Sequence, residues 1–310
     1  MTAGDVWVTG ARGFIGRHLS RRLAAQGRRV VGLGHGAWPT AGDWGVSRWL
    51  NGDIAPDNLS QLARDEGRPS MVYHLAGGAS VGAAIGAPRE DFKRTVEATA
   101  ALCDWIRLEA PETRLLAVSS AAVYGAGHSG RIPEEAAGQP YSPYGYHKLM
   151  MELVCRQYAG TYGLSVATAR LFSVYGPELR KQLLWDICRR LEAGTPVLEL
   201  GGSGAELRDW TEISDVVRAL EHVAALASPE APILNVGSGR GLDVATIARL
   251  VVSAWGASTP IHFTGEARPG DPASLIADGR RLEALGFEWR VSAEAGVADY
   301  VAWRLQAGGS

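Results

Sequence analysis

The chain has 310 residues, of which 46% are apolar and 21% charged, and its formal net charge is −2. This balance excludes a global basic field that would gather nucleic acid or an anionic membrane, and no apolar run approaches the ~20 residues of a membrane-spanning helix. The N-terminus lacks a signal-peptide pattern, so we expect a cytoplasmic protein of one large domain or two modest ones.

The first predicted elements are a strand at Val6–Thr9 and a helix at 17–26, joined by a glycine-rich turn. The glycines Gly10, Gly13 and Gly16 have the spacing G-x-x-G-x-x-G. In dinucleotide-binding proteins the first permits a tight turn, the second lets backbone approach a pyrophosphate, and the third lets the helix pack on the strand. N–H groups at the helix N-terminus complete the anion site. The position favours dinucleotide binding over an ordinary tight turn.

The end of the second predicted strand, at 29–33, bears on the choice between NAD and NADP. An acidic residue there would bind the adenosine ribose 2′-hydroxyl and favour NAD, but the position is Gly34. Arg12, inside the glycine loop, and His35 could instead pair with a 2′-phosphate. We therefore expect NADP(H), with NAD(H) as the alternative, because Arg12 is also compatible with a solvated loop residue.

Strands and helices alternate further along the chain, with strands expected at 71–75, 115–119 and Val166–Leu171. This alternation predicts an α/β fold with a doubly wound parallel sheet. Ligands of such sheets lie beyond the carboxyl ends of the strands. The residues just past those ends are Gly10, Ala76, Ser120 and Phe172.

Tyr144 and Lys148 lie four residues apart, so on a helix both side chains reach one site. A tyrosine pKa of about 10 is too high for efficient proton transfer at neutral pH, and a neighbouring ammonium favours the phenolate. The pair is therefore a candidate acid/base unit, although a solvated helix face could carry both residues by chance.

The second half of the chain is less regular. Helices are expected at 181–193, 216–226 and 244–255, and a strand at Ile233–Val236. The three cysteines show no paired spacing and the seven histidines form no HExxH pattern, so we expect no metal site.

Further motifs stand in order along the chain. They are Gly52-Asp53-Ile54, His74-Leu75-Ala76-Gly77, Ser119-Ser120-Ala121-Ala122-Val123-Tyr124-Gly125, Ser142-Pro143-Tyr144, Arg170-Leu171-Phe172-Ser173-Val174-Tyr175-Gly176-Pro177, Arg208-Asp209-Trp210, Asn235-Val236-Gly237-Ser238-Gly239 and Arg268-Pro269-Gly270-Asp271. With the glycine loop, they resemble the extended short-chain dehydrogenase/reductase family, in its nucleotide-sugar epimerase/dehydratase/reductase group, nearly from end to end. The resemblance implies a Rossmann-type sheet in a dinucleotide-binding domain at 1–172, with about 207–236 returning to it. It also implies a smaller C-terminal nucleotide-sugar-binding lobe at 173–206 and 237–310.

The resemblance also assigns roles in catalysis. Ser120 would hydrogen-bond the reacting sugar oxygen, Tyr144 would move the proton, and Lys148 would bind the nicotinamide ribose and lower the Tyr144 pKa. Asp53 would bind adenine after the third strand, although it could equally be a turn residue that caps a helix. The expected cofactor-binding residues are Gly10, Arg12, Gly13, Phe14, Ile15, Gly16, His35, Asp53, Ile54, Ala76, Gly77, Tyr144 and Lys148.

Three positions depart from the family pattern. Ala121 and Ala122 stand where sugar 4,6-dehydratases carry an acidic pair, so dehydration is not expected. Thr95 stands where the family often has Asn, which leaves the proton-relay role of that position in doubt.

The resemblance implies a nucleotide-diphospho-sugar substrate. Arg208 and Arg268 match positions that bind diphosphate or ribose, and a guanidinium suits phosphate by its forked geometry. Arg180 could add positive charge near the substrate diphosphate, or it could be a solvated residue at the start of a helix. Ser173 replaces an Asn that contacts the substrate phosphate in many members of the family. The expected substrate-binding residues are Ser80, Ser173, Arg180, Arg208 and Arg268.

The main functional hypothesis is an NADPH-dependent reductase of a nucleotide-diphospho-4-keto sugar, with Tyr144 as the acid. The alternative is an NAD-dependent nucleotide-sugar 4-epimerase, which would use the same catalytic residues, so only Gly34 and Arg12 favour reduction. A non-catalytic dinucleotide-sensing protein is the least favoured, because it would not need the Tyr–Lys pair. Relatives pair through helices that correspond to 89–110 and 143–160, so we expect a homodimer.

Overall fold

The computed structural model describes residues 5–266 and 272–308. The strands in these residues are β1 (Val6–Thr9), β2 (Val30–Gly34), β3 (Val46–Asn51), β4 (Met71–His74), β5 (Arg114–Ser120), β6 (Arg131–Ile132), β7 (Val166–Leu171), β8 (Ser173–Tyr175), β9 (Leu198–Leu200), β10 (Leu207–Glu212), β11 (Ile233–Val236), β12 (Gly241–Asp243), β13 (Ile261–Phe263) and β14 (Ser274–Ala277). The helices are α1 (Phe14–Ala25), α2 (Pro56–Glu66), α3 (Val81–Gly86), α4 (Pro88–Phe92), α5 (Ala98–Glu109), α6 (Pro143–Tyr162), α7 (Gln182–Glu192), α8 (Ile213–Ala224), α9 (Val244–Ala254), α10 (Arg280–Ala284) and α11 (Ala293–Gly308).

The chain divides into two compact units, each built from several segments. The first comprises Met1–Tyr124, Ala137–Leu171 and Val217–Leu234. The second comprises Gly125–Ala136, Phe172–Val216 and Asn235–Ser310. The assignment of dinucleotide binding and nucleotide-sugar binding to separate domains stays a prediction.

The first unit is organised by a seven-stranded sheet with the order β11-β7-β5-β4-β1-β2-β3. The neighbouring strands from β7 to β3 in this order are parallel. Strands β1, β4 and β7 are buried along their whole length, as apolar strands are when helices cover both faces of a parallel sheet. The predicted α/β fold is therefore confirmed. The strand order reverses between β1 and β4, and in such sheets the ligand crevice lies past the ends of those two strands.

The core of the first unit lies between this sheet and its helices. The indole of Trp7 on β1 stacks on that of Trp105 on α5, with ring centroids 5.3 Å apart. Burial of an aliphatic side chain contributes about 1.5–3 kcal/mol, so the sheet is a firm platform for the loops at its strand ends. The fully buried members of this cluster include Val31, Leu33, Leu59, Val72, Leu102, Ile106, Leu115, Ala117, Met151, Cys155 and Val166.

Helix α6 carries the predicted Tyr–Lys pair, and its ends follow from local chemistry. Ser142 caps the N-terminus, because its Oγ accepts a hydrogen bond from the Gly145 N–H at 3.2 Å. Pro143 occupies the first position, where its fixed φ suits a helix. Gly163, with φ 74°, ends the helix in the left-handed conformation. Tyr144 therefore lies in the first turn and Lys148 one turn later on the same face.

The predicted single helix over 89–110 is interrupted by a π-helical turn at Lys93–Glu97, between α4 and α5. The hydroxyl of Thr99 donates to the Thr95 carbonyl at 2.6 Å. Threonine hydroxyls that bond backbone carbonyls in this way compete with the regular helical ladder, and π-helical turns are frequent at functional sites. The turn places Thr95 against the loop that follows β4.

The second unit contains a sheet with the order β12-β10-β14-β6, in which β8 also pairs with β10, and a two-stranded sheet of β13 and β9. The buried carboxylate of Asp209 on β10 accepts hydrogen bonds from the backbone N–H groups of Ser238 and Gly239, both at 2.8 Å, and of Ala277, at 3.1 Å. These bonds tie β10 to β14 and to the loop after β11. Asp209 therefore holds the frame of this unit together.

Two kinds of feature are absent from the described part of the chain. No helix in residues 5–266 and 272–308 is both long enough and apolar enough to cross a membrane. The same part of the chain contains no group of three or more His, Cys, Asp and Glu side chains that could hold a metal ion.

Candidate active site

The glycine loop connects β1 to α1 in a conformation that depends on its glycines. Gly10 has φ +69°, and its N–H donates to the Leu33 carbonyl at 2.7 Å. A Cβ at Gly16 would lie 2.7 Å from the Cα of Ala11 and would clash with the carbonyl oxygen of Gly10. Helix α1 can therefore begin close beneath the turn. Gly13 precedes its first turn with no side-chain cap, an arrangement that presents backbone N–H groups to an anion.

A cavity of about 890 Å³ opens beside this loop in the first unit. Its size is that of a cofactor pocket. Phe14, Ile15 and Gly16 shape the loop and helix start without lining the cavity. The predicted cofactor residues that line it are Gly10, Arg12, Gly13, His35, Asp53, Ile54, Ala76 and Gly77.

The cavity wall at the end of β2 explains why position 34 has no side chain. A Cβ at Gly34 would lie 2.9 Å from Cη2 of Trp49 on the neighbouring strand β3. The Trp49 indole N–H donates to the Gly36 carbonyl at 3.0 Å, and its ring meets Trp38 edge to face at 5.2 Å. An acidic residue at 34 would therefore collide with this indole. Neither tryptophan was predicted to lie at this site, and Gly34 was the signal that could have indicated a bulky neighbour.

The charged side chains at this end of the cavity are held by contacts within the protein. Arg12 Nη1 donates to the His35 carbonyl at 3.2 Å, so its guanidinium lies at the end of β2. The His35 imidazole contacts the Asp53 carboxylate, with Nε2 and Oδ1 2.7 Å apart. A cation and a carboxylate thus both face the region where an adenosine ribose would bind.

The predicted catalytic residues meet at the carboxyl end of β5. Ser120 is the last residue of that strand, and its Oγ accepts a hydrogen bond from the Ala122 N–H at 3.2 Å. Ser120 is close enough to Tyr144 to lower the pKa of its phenol. The Lys148 ammonium donates to the Val118 carbonyl at 2.9 Å. All three residues therefore belong to one cluster at the strand end, next to the loop that carries Gly77.

Burial dominates the acid/base properties of this cluster. It raises the pKa of Tyr144, and the negative charge of Asp91 raises it further, whereas the hydrogen bond from Ser120 lowers it. Burial lowers the pKa of Lys148 to about 8. The expected lowering of the Tyr144 pKa by Lys148 stays a prediction.

Hydrogen bonds from backbone N–H groups to the Thr95 and Thr9 hydroxyls hold the loop after β4. The Thr95 hydroxyl accepts from the Gly78 N–H at 2.8 Å, so Thr95 supports this loop where relatives often have Asn. His74 lies between the hydroxyls of Thr9 and Thr99, at 2.8 and 2.9 Å. Burial and the charge of Lys148 lower the His74 pKa to about 3, which keeps this imidazole neutral.

A buried ion pair between β7 and α6 packs next to the cluster. Arg170 on β7 donates to both carboxylate oxygens of Glu152 on α6, at 2.9 and 2.7 Å, and to the Tyr124 hydroxyl at 2.9 Å. The Ser119 hydroxyl donates to the same carboxylate at 2.5 Å. This network fixes α6 against the end of β5 and therefore fixes the distance between Ser120 and Tyr144.

The predicted substrate-binding residues are distributed over both units. Ser80 belongs to the first unit, where its hydroxyl caps α3 by accepting from the Ala83 N–H at 3.4 Å. Ser173, Arg180 and Arg208 belong to the second unit, in which Arg208 Nη1 donates to the Leu207 carbonyl at 2.8 Å. Arg268 lies outside the described residues. Their roles toward a substrate stay predictions.

Comparison with known proteins agrees with this fold. Residues 6–237 match the family described as "NAD dependent epimerase/dehydratase family". The chain therefore belongs to that family, and the predictions of an extended short-chain dehydrogenase/reductase and of an enzyme are confirmed.

Individual relatives cover nearly the whole chain. A probable UDP-glucuronate 4-epimerase of Rhizobium meliloti (strain 1021) is 29% identical and covers 96% of this chain and 95% of its own. A UDP-glucose 4-epimerase of Azospirillum brasilense is 30% identical and covers 91% and 86%. The solved structure of MoeE5 in complex with UDP-glucuronic acid and NAD is 34% identical, covers 98% and 100%, and superposes with a TM-score of 0.87.

Proposed function

We propose that this protein is an NAD-dependent 4-epimerase of a UDP-sugar, with UDP-glucuronate as the first substrate to test. The observation that carries the proposal is the cluster of Ser120, Tyr144 and Lys148 where α6 meets the carboxyl end of β5, with Ala121 and Ala122 directly after Ser120. This set can move one proton at one sugar hydroxyl but offers no acid/base pair for expelling water. The similarity to 4-epimerases favours the alternative of the sequence analysis over its main hypothesis, reduction.

The residues of the first unit fit a bound dinucleotide. Gly10 permits the tight turn and Gly16 lets α1 begin close to it. The cavity extends from this loop to Asp53 and Ile54. When bound, the nicotinamide supplies hydride chemistry at sugar C4 by accepting and then returning a hydride. The chain itself supplies binding, orientation and proton transfer.

Tyr144 and Ser120 act on the proton of the sugar 4-hydroxyl. Tyr144 accepts this proton as C4 is oxidised, and the Ser120 hydroxyl hydrogen-bonds the same oxygen. Tyr144 then returns the proton when C4 is reduced on its other face. A buried Lys148 ammonium favours the phenolate during this cycle, and exclusion of water strengthens that interaction.

A second candidate function is the NADPH-dependent reduction of a nucleotide-diphospho-4-keto sugar. It is favoured by one observation: the Arg12 guanidinium lies at the end of β2, where position 34 carries no carboxylate. The carboxylate of Asp53 beside His35 opposes a 2′-phosphate and favours NAD instead. NADP(H) therefore belongs with the reductase candidate and NAD with the epimerase.

The test begins with purified protein, UDP-glucuronate and no added cofactor. We expect conversion to the C4 epimer, observed by NMR of the sugar ring, and release of tightly held NAD on denaturation, identified by mass spectrometry. Tyr144→Phe removes only the hydroxyl, and we expect activity to fall by a factor of about 10²–10⁴. Conversion of a UDP-4-keto sugar only with added NADPH, and no epimerisation, would establish the reductase instead.

We also propose a homodimer that pairs through α6. Tyr146, Met150 and Leu153 lie on one face of this helix and are 50%, 40% and 53% exposed. An apolar face of this kind is typical of a protein interface. Val96 and Leu102, which the sequence analysis also considered, are buried in the first unit. Light scattering should give a dimer for the wild type and a monomer for Leu153→Glu, whereas a dimeric variant would contradict this interface.

A further inference from the structure

A second titratable pair lies beside the catalytic cluster and has no role in the mechanism above. Asp91 on α4 and His147 on α6 are both buried, with side chains that are 6% and 11% exposed. Asp91 Oδ2 and His147 Nδ1 are 2.6 Å apart. Phe92 packs edge to face against the same imidazole, with ring centroids 5.4 Å apart. The imidazole is therefore held in one orientation toward the carboxylate.

The carboxylate of Asp91 is held against the loop that follows β4. A Cβ at Gly78 would lie 2.8 Å from the Asp91 Cγ and would clash with Oδ1, so the carboxylate fills the space that a side chain would need. The neighbouring Gly77 faces Lys148, since a Cβ there would lie 3.4 Å from its Nζ. His147 immediately precedes Lys148 in α6. Asp91 is therefore held beside the loop that contacts Lys148, and His147 is held in the helix that carries Lys148.

The other charged groups around Tyr144 and Lys148 are balanced or neutral. Glu152 on α6 is compensated by Arg170 on β7, and the buried His74 on β4 is neutral. Helix α3 contributes no titratable side chain. The charged groups on α4 and the π-helical turn are Arg89, Glu90, Lys93, Arg94 and Glu97, all exposed. Cys103 on α5 and Cys155 on α6 are buried thiols.

We propose that Asp91 and His147 are positioning residues for the acid/base cluster: the Asp91 carboxylate, held against Gly78, disfavours loss of the Tyr144 proton, and the His147 imidazole in contact with that carboxylate offsets its charge. The negative charge of Asp91 raises the pKa of both Tyr144 and Lys148, which supports this assignment.

The direct test is a pH titration of Tyr144 by NMR of protein labelled with ¹³C at tyrosine Cζ, with the signal assigned through Tyr144→Phe. In Asp91→Asn we expect the midpoint to fall by about one pH unit, because a like charge nearby is removed. In His147→Gln, which keeps the carboxylate, we expect it to stay or rise. A structural role alone would move both variants in the same direction, so a fall in both, or no change in Asp91→Asn, would overturn the proposal.

Two further variants serve as a backup and a control for this titration. Asp91→Asn/His147→Gln replaces both partners by neutral amides and should match the low midpoint of Asp91→Asn; it serves as the test if the single variant does not fold. Asp104→Asn removes a partly exposed carboxylate on α5 that pairs with Arg107 at 2.8 Å, and it should leave the midpoint unchanged. A shift in Asp104→Asn as large as that in Asp91→Asn would contradict a local effect.

A second measurement, the pH dependence of epimerase activity, rests on the proposed function, whereas the titration of Tyr144 does not. The acidic limb of the pH profile of kcat/KM for epimerisation should move to lower pH in Asp91→Asn and should not do so in His147→Gln. Absence of turnover in the wild type would refute the proposed function and leave the NMR midpoints to decide the role of the pair. If the wild type turns over substrate but the Tyr144 titration midpoint is the same in the variants, the positioning role of Asp91 and His147 is refuted and the proposed function is not.

Discussion

The buried Lys148 should make the stability of this protein depend on pH in a specific way. The Lys148 side chain is buried, with the residue 4% exposed, and burial lowers its pKa to about 8, against about 10.4 in an unfolded chain. Between these values the unfolded state binds more protons than the folded state, so the free energy of unfolding rises with pH. From pH 7 to pH 9.5 the gain from this one group is about 2 kcal/mol.

The assay is urea unfolding of the wild type and of Lys148→Met at pH 7.0 and pH 9.5. Methionine keeps an unbranched stem in the site and removes the ammonium. The free energy of unfolding of the wild type, relative to that of the variant, should increase by about 2 kcal/mol between the two pH values. Lys93→Met is the matched control, because Lys93 is exposed and its charge is hydrated in both states.

A difference between the wild type and Lys148→Met that stays constant with pH would refute this reasoning. It would mean that the ammonium is as well solvated in the folded protein as in the unfolded chain. A difference that moves in favour of the variant at pH 9.5 would have the opposite sign and would refute it more directly. Either result would also remove the low-dielectric environment on which the proposed action of Lys148 on Tyr144 depends.

Three further predictions concern the frame of the site. Arg170→Leu leaves the buried Glu152 carboxylate without its ion pair and should lower the free energy of unfolding by about 3–5 kcal/mol in urea titrations; a loss under 1 kcal/mol would contradict it. Gly16→Ala should weaken NAD binding at least tenfold by calorimetry, because its Cβ would displace the Gly10 carbonyl, and unchanged affinity would count against the loop assignment. Burial raises the pKa of Tyr73 to about 12, so unfolding free energy should fall with pH above 10, and less steeply in Tyr73→Phe.

The sequence could predict the parts of this protein that depend on neighbouring residues. The glycine loop was predictable because strand, turn and helix follow one another within Val6–Thr9 and Phe14–Ala25, and each glycine has a local steric reason. The Tyr144–Lys148 unit was predictable because residues four apart share a helix face. The parallel sheet followed from the alternation of apolar strands with helices.

The choice between epimerase and reductase could not be made from the sequence, because both reactions use Ser120, Tyr144 and Lys148 in the same roles. Gly34 and Arg12 favoured NADP(H), but the structure gives a steric reason for Gly34, which is the indole of Trp49. A missing carboxylate therefore has two explanations, a phosphate on the ligand or a bulky side chain on the next strand. Sequence alone does not separate them, since Trp49 reaches Gly34 only through the pairing of β2 with β3.

What the sequence determined by itself is the fold class, and it also singled out the candidate catalytic residues, since both depend on patterns that span a few residues. What only the tertiary structure decided is the electrostatic setting of those residues. Asp91 meets His147 across 56 positions of the chain, and Glu152 meets Arg170 through the packing of α6 on β7. Burial, which moves the pKa of Tyr144 up and that of Lys148 down, is a property of the assembled core and has no local signature.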